Sequence, residues 1–169
     1  EMFLGPIELS KPWDTNGIEG VFRFMKKLWR LFHNDQNQFC VSDDVPTKAE
    51  LKILHQTIKK ISDDIERFSF NTSVSTFMIC VNDLTAAKCN KRAILEPLLT
   101  LLAPFTPHIC EELWHLLGHD DTVTLSSWPL CDESVLVEDS FNYPVSFNGK
   151  MRFPIELPLG ISQDDAVKA

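Results

Sequence analysis

Histidine and acidic side chains of the kind that bind metal ions recur along one short segment, APFTPHICEELWHLLGH, residues 103–119. At about 100° per residue, five of them fall within an arc of about 100° on one helix face. These are His108, Glu111, Glu112, His115 and His119. Glu112 and His115 have the Glu-x-x-His spacing of carboxylate-bridged di-metal sites, but such a site needs a second Glu-x-x-His, and the sequence contains no other. The opposite face is apolar, so we interpret this face as solvent-exposed polar surface and predict no metal ligand.

Four cations lie close together in a second segment, GIEGVFRFMKKLWRLF, residues 17–32. On a helix they fall within an arc of about 100°, opposite large apolar side chains. They are Arg23, Lys26, Lys27 and Arg30. The chain has a formal net charge of −8, and exposed helices usually mix both signs because Glu and Lys four residues apart stabilise each other. Either the counter-charges come from elsewhere in the chain or this face binds a negative partner, and the spacing alone leaves both open.

Signatures of catalysis are missing from the sequence. It has only six glycines and contains no G-x-G-x-x-G, no Walker loop and no G-x-S-x-G, which are the patterns that cradle phosphates or expose a nucleophilic serine. The carboxylate pairs Asp63–Asp64 and Asp120–Asp121 are adjacent in sequence and would diverge on a helix. We therefore predict no catalytic residue, and we interpret the chain as a binding or scaffolding module.

Helices are the main elements that would position these residues. The first carries the four cations. The second begins with a capping box, in which the side chains of Thr47 and Glu50 each bond the other residue's backbone amide, and it is expected to end near Phe68. The third is predicted to have Asn71 at its N-cap and to run to about Ala87.

Two further helices complete the predicted bundle. The segment RAILEPLLTLLA contains Pro97, which must lie in a first turn or bend the helix. In the last helix, Thr106 can cap the N-terminus, Pro107 suits the first helical position and Gly118 suits a left-handed stop.

After the last helix the periodicity changes to that of strands. The segments TVTLSSWP, residues 122–129, and NYPVSFNGKMRFPIELP, residues 142–158, alternate apolar and polar residues. Asn148-Gly149 between two such runs indicates a type I′ hairpin turn. The predicted fold class is mainly α: a bundle of about five helices in residues 1–121, then a β-rich element in residues 122–169.

Composition places limits on the cellular context. The five cysteines are an odd number without a CxxC pair, which favours reduced thiols over disulfides or a zinc site. No run approaches the roughly 18 apolar residues of a membrane span, and no secretory signal opens the chain. We expect a cytoplasmic protein without a membrane partner. Because the chain begins with Glu1 rather than Met, we also expect it to be a piece of a longer protein.

Five segments resemble, in order and spacing, the C-terminal part of bacterial-type leucyl-tRNA synthetases, which are class I aminoacyl-tRNA synthetases. They are FLGPIELSKPWDTNGIEGVFRFMKKLWRLF, FNTSVSTFMICVNDL, LLAPFTPHICEELWHLLG, SSWP and VSFNGKMR. The isoleucyl, valyl and methionyl relatives share the helical segments more loosely. Two motifs favour the leucine enzyme: Trp13 with Gly17-x-x-Gly20-x-x-Arg23-Phe24, and Asn148-Gly149-Lys150-x-Arg152.

The resemblance implies that residues 1–121 form a helical domain of the anticodon-binding type, which lies along tRNA while another domain charges its 3′ end. Its negative partner would be tRNA, namely tRNA(Leu), held through phosphate and sugar contacts along the tRNA body. The residues implied to bind tRNA are Arg23, Lys26, Lys27, Arg30, Lys150 and Arg152. Asn148 is a further candidate contact to the tRNA elbow.

The resemblance also implies what this chain lacks. The ATP-binding signatures of class I enzymes, HIGH and KMSKS in one-letter code, are absent, so ATP and Mg²⁺ would bind to a catalytic domain outside it. We expect a monomeric fragment without catalysis or a cofactor, which contacts the rest of its parent chain and ends in an incomplete C-terminal appendage. Two alternatives remain: a helical interaction or metal-binding bundle without an RNA role, and the same domain from an isoleucyl, valyl or methionyl relative.

Overall fold

Five α-helices followed by two strands make up the chain in a computed structural model, which describes residues 2–10, 12, 15, 17–137, 140–147 and 150–158. The helices are α1 Ile18–Phe32, α2 Lys48–Glu66, α3 Phe70–Ala86, α4 Arg92–Leu102 and α5 Pro107–Leu116, and the strands are β1 Ser140–Phe147 and β2 Lys150–Pro158. Short 3-10 helices span Met2–Leu4, Val123–Leu125 and Glu133–Leu136. The predicted mainly helical fold is confirmed. Contacts divide the chain into two units, Glu1–Val135 and Leu136–Ala169, and the boundary predicted after residue 121 stays a prediction.

Helix α4 forms the centre of the first unit. Its apolar side chains are almost completely buried, at most 1% exposed: Ile94, Leu95, Leu98, Leu99, Leu101 and Leu102. Helix α4 packs against α2 and α5, and α3 packs against α1 and α2. Pro97 lies inside α4 rather than in its first turn. Proline has no N–H to donate, so the carbonyl of Ala93, an exposed residue, lacks the helical donor that position 97 would otherwise supply.

The predicted capping box at the start of α2 is confirmed. The backbone N–H of Thr47 donates to Glu50 Oε2 at 2.7 Å, and the N–H of Glu50 donates to Thr47 Oγ1 at 3.3 Å. Lys91 Nζ also donates to both oxygens of Glu50, at 2.8 and 2.7 Å. Burial alone would raise the pKa of the Glu50 carboxyl, but the hydrogen bonds from Lys91 and Thr47 outweigh it and lower the pKa to about 2. This buried ion pair fixes the start of α2 against the start of α4.

Three helices end in the same left-handed turn. Just beyond α5, Gly118 has φ 96°; the N–H of Gly118 bonds the carbonyl of His115, and that of His119 bonds the carbonyl of Trp114. This pair of bonds is a Schellman motif, so the predicted stop at Gly118 is confirmed. The corresponding positions after α2 and α3 hold Phe68, φ 55°, and Lys88, φ 51°, where the sequence has no glycine to indicate a left-handed residue.

Three local predictions were wrong. Asn71 is not an N-cap, because α3 begins at Phe70 and Ser69 takes that position. Thr106 occupies the N-cap position of α5 and Pro107 begins the helix, as predicted, but the Thr106 hydroxyl makes no capping bond; it lies 3.5 Å from both the Leu102 carbonyl and Cys110 Sγ.

The third wrong prediction is the strand in residues 122–129. Val123–Leu125 forms a 3-10 helix, and Val123 is only 1% exposed within the helical core. Leu125, the next apolar residue of the alternating pattern, is 77% exposed, so the pattern does not mark one buried face of a strand.

The second unit contains the predicted antiparallel hairpin. Phe147 pairs with Lys150 and Ser146 with Met151, but Val145 pairs with Phe153. Arg152 is therefore an extra residue on β2, which makes a β-bulge. The turn residues Asn148 and Gly149 lie outside the described residues, as does the chain from residue 159 onward.

All five cysteines are free thiols. Cys80 and Cys110 lie in the core, and burial raises the pKa of each thiol to about 11. They therefore act as small packing residues, as the sequence predicts. In the described part of the chain, no helix has the length and apolar character that crossing a membrane requires.

Candidate nucleic-acid interface

Helix α1 buries one face and exposes the other, as its periodicity predicts. Leu28 and Phe32 are fully buried and Leu31 is 6% exposed, while all four predicted cations are exposed. The apolar face holds α1 on the bundle by hydrophobic burial. Substituting the cations therefore leaves the buried apolar contacts of α1 in place.

A groove of about 490 Å³ lies between α1 and α3. From α1 it is lined by Gly20, Arg23, Phe24, Lys26, Lys27 and Arg30, and from α3 by Met78 and Asn82. All four cations predicted from the sequence thus come together along one concave surface. Its α1 wall carries positive charge, and part of its lining is apolar.

The contacts of these cations leave their charges uncompensated. Arg23 Nε donates to the backbone carbonyl of Glu19 at 3.3 Å, and Lys27 Nζ donates to Asn82 Oδ1 at 2.6 Å. Lys26 Nζ lies 4.4 Å from the centre of the Phe22 ring. Within the residues that the structure describes, none of the four cations forms an ion pair with a carboxylate.

This pattern bears on the two interpretations that the sequence leaves open. If counter-charges came from elsewhere in the fold, carboxylates would line the groove, and among the residues that the structure describes no acidic side chain lines it. A cluster of cations in a cleft concentrates positive potential and attracts anions, even when the whole chain is acidic. The geometry therefore favours a negative partner.

Lys150 and Arg152 belong to β2 of the second unit, whereas the groove is formed by helices of the first unit. Arg152 is exposed at the β-bulge, and bulges commonly redirect a side chain out of the regular alternation. The structure thus brings four of the six predicted tRNA contacts together and places the other two in a separate unit.

Of the five histidine and glutamate side chains predicted to form a solvated face, His108, Glu112 and His115 are exposed, whereas Glu111 and His119 contact neighbouring segments. His119 stacks on Trp114 with ring centroids 3.9 Å apart, and its Nε2 lies 3.2 Å from Glu96 Oε1. Glu111 accepts hydrogen bonds from the Thr122 hydroxyl and, at 3.2 Å, from the Val123 N–H. Among the described residues, no group of three or more His, Cys, Asp or Glu side chains is arranged to hold a metal ion.

Sequence reasoning missed the contribution of α3 to the groove. Asn82 and Met78 reach the cations only through tertiary packing, and Asn82 is 55 positions from Lys27. One signal was available in the sequence: the 17 residues of α3 include a single charged residue, Asp83. Solvated surface helices are usually richer in charge.

Comparisons with known proteins agree with this architecture. Residues 48–167 match the family model described as "Anticodon-binding domain of tRNA ligase". The chain is 63% identical over its full length to a leucine-tRNA ligase of Parabacteroides distasonis, and 60% identical over 94% of its length to that of Cytophaga hutchinsonii. It spans only 18% and 17% of the length of these two relatives.

A solved structure has the same fold. It is the LeuRS of Agrobacterium radiobacter in a ternary complex with tRNA and LeuAMS. Its TM-score is 0.73 at 28% identity, over 99% of this chain and 24% of the other. The family match covers most of the chain and includes four of its five helices. The chain belongs to the anticodon-binding domain family of tRNA ligases.

Proposed function

We propose that the groove between α1 and α3 docks the sugar-phosphate backbone of a tRNA, and that this domain serves a leucine-tRNA ligase, which joins leucine to tRNA(Leu) with ATP. The observation that carries the proposal is the groove itself: four exposed cations, none in an ion pair with a described carboxylate, line one concave surface. Phosphates fit such a surface because each contact releases condensed counterions from the nucleic acid.

Phosphate contacts position an RNA without reading its sequence. The groove offers four cations and no cluster of free base-reading amides, so we propose that it holds the tRNA body rather than its anticodon bases. Lys150 and Arg152 are proposed as additional phosphate contacts from the second unit. Arg152 is exposed at the β-bulge, a position where a strand can redirect a side chain towards a partner.

Two comparisons support the proposal that the parent protein is a leucine-tRNA ligase. The relatives that match at 55–63% identity carry the name leucine-tRNA ligase, and the solved relative of the same fold is a LeuRS bound with tRNA. The chain has no glycine-rich loop to cradle phosphates, so ATP and its Mg²⁺ would bind elsewhere in such a ligase. Free cysteines suit the reducing cytoplasm, where we propose that the domain acts without a second copy of itself.

The test is tRNA binding by the purified chain at fixed low salt, measured by fluorescence anisotropy. The double substitution of Lys26→Gln and Lys27→Gln should weaken tRNA binding about tenfold, because two phosphate contacts are lost. The matched control is Lys48→Gln with Lys52→Gln, two lysines of α2 outside the groove lining, which removes the same charge. Glutamine keeps helix propensity and most of the apolar stem.

The two double variants separate a groove from a general charge effect. Equal losses in both would show that net charge alone matters, and no loss in either would show that this face is solvated surface. Either result would contradict the proposed function. Binding that requires a divalent metal and ignores all four lysines would instead favour the metal-binding alternative.

A further inference from the structure

We propose that α3 supplies an uncharged second wall of the groove, and that the Asn82 amide donates a hydrogen bond to a ribose 2′-hydroxyl beside a bound phosphate. This inference rests on the proposed function and extends it from phosphate binding to recognition of RNA as opposed to DNA. It assigns to Asn82 a contact with the ligand itself.

The geometry at Asn82 determines which part of its side chain is available. Lys27 Nζ lies 2.6 Å from Asn82 Oδ1, and a lysine ammonium can only donate, so the amide oxygen must face it. The Asn82 NH₂ group therefore points away from Lys27. In the described part of the chain this group has no hydrogen-bond acceptor, and Asn82 is exposed on the groove. The Asn82 NH₂ group is thus an oriented hydrogen-bond donor next to the Lys27 ammonium.

The rest of this α3 face is also uncharged. At about 100° per residue, four of its side chains fall within an arc of about 60°. They are Asn71, Ser75, Met78 and Asn82. The single charged residue of the helix, Asp83, is adjacent in sequence to Asn82 and so lies about 100° away around the axis. This face cannot bind phosphate by charge, but it can approach a sugar edge without repulsion.

The pairing of a cation with an amide matches the chemistry of a single nucleotide. In RNA, the 2′-hydroxyl lies on the same sugar that carries the phosphate, and it can both donate and accept a hydrogen bond. Since Lys27 and Asn82 are in direct contact, one nucleotide could place its phosphate on the lysine and its hydroxyl on the amide. DNA offers the phosphate but lacks the hydroxyl, so the pair would discriminate between the two.

The experiment compares two short duplexes of identical sequence, one of RNA and one in which fluorine replaces every 2′-hydroxyl. Both keep A-form geometry and the same phosphate charge, so the ratio of their affinities for the full chain isolates the hydroxyl. We expect the RNA duplex to bind about fivefold more tightly, roughly the contribution of one hydrogen bond. In the Asn82→Ala variant this ratio should fall to about one.

Two control variants keep the outcomes distinct. Thr85→Ala removes a polar side chain of α3 outside the groove lining and should retain the wild-type ratio. Lys26→Gln with Lys27→Gln should weaken both duplexes, as the proposed function requires. A wild-type ratio of one, or a ratio unchanged in Asn82→Ala, would overturn the role of Asn82. If that double variant bound both duplexes as tightly as the wild type, the proposed function itself would fail.

Discussion

Glu50 and the four cations of the groove are charged side chains in opposite electrostatic surroundings. Glu50 is 3% exposed and has Lys91 and Thr47 as partners for its carboxylate. The cations of the groove are exposed and have no carboxylate partner in the described residues. A buried charge must be paired to be tolerated, whereas an exposed and uncompensated one can gain a partner from solution. The first arrangement stabilises the fold, and the second leaves a surface able to bind.

The buried pair gives a prediction for stability. Replacing Glu50→Gln removes the charge that Lys91 faces and should lower the free energy of unfolding by about 3 kcal/mol, the usual cost of breaking a buried pair. The control is Glu133→Gln, which breaks the exposed pair between Lys59 and Glu133 and should cost less than about 1 kcal/mol. Urea denaturation measures both. Equal and small effects would show that the Glu50 pair contributes little.

The same pair predicts how stability depends on pH. The folded pKa of Glu50 is about 2, below its ordinary value of 4.5, so the stabilisation is fully present above pH 4.5. It is lost as pH falls from 4.5 towards 2, because the carboxyl becomes protonated. The difference in urea midpoint between wild type and Glu50→Gln should therefore be constant near neutrality and shrink over that acid range. A difference independent of pH would contradict the assignment.

The positions at which the helices end depend on backbone conformation as much as on sequence. Three helices stop with a left-handed residue, and only one of these residues, Gly118, is a glycine. The others, Phe68 and Lys88, hold a conformation that costs an L-residue about 1 kcal/mol or more. At Lys88 the conformation is accompanied by burial of the next residue, since Cys89 is only 3% exposed.

Substitutions at two of these stops should have opposite effects. Lys88→Gly relieves the strain and should stabilise the chain by about 0.5–1 kcal/mol, because glycine adopts positive φ freely. Gly118→Ala introduces the strain and should destabilise it by about 1 kcal/mol, although open space surrounds the position that the new methyl group would occupy. Thermal unfolding checks both. Shifts of the same sign in the two variants would show that φ is not the deciding factor.

The sequence predicts elements well where the signal is local. The Thr47–Glu50 capping box, the five helices and the Gly118 stop depend on neighbouring residues, and all are found. The left-handed turns at Phe68 and Lys88 depend on tertiary packing and carry no local signal.

The groove shows the same division between local and tertiary signals. Its cationic wall lies on one helix and could be found from spacing alone. Asn82 joins it only because α3 packs beside α1. The strand wrongly predicted in residues 122–129 has a related cause, since only tertiary packing buries Val123 and leaves Leu125 exposed.

Considered as a whole, the molecule concentrates its apolar core in the first unit. All residues of the hydrophobic cluster, and those packed against it, belong to Glu1–Val135. The described strands contribute none of them. The groove is also lined only by residues of this unit, so the core and the proposed docking surface share one folding unit.

Ending the chain after Val135 should therefore preserve both fold and groove. We expect the melting temperature of the shortened chain to stay within about 4 °C of the full chain, which corresponds to about 1 kcal/mol. Circular dichroism measures the transition. A fall above about 8 °C would mean that residues 136–169 stabilise the helical unit.

The central claim is that Arg23, Lys26, Lys27 and Arg30 face the phosphates of a bound RNA. The most direct test is the slope of log affinity against log salt concentration for tRNA binding. Each phosphate contact contributes about 0.7–0.9 to that slope, so glutamine at all four positions should flatten it by about 3. The apolar face of α1 is untouched, so circular dichroism should show an unchanged fold. A variant that binds tRNA with the wild-type slope would contradict the account.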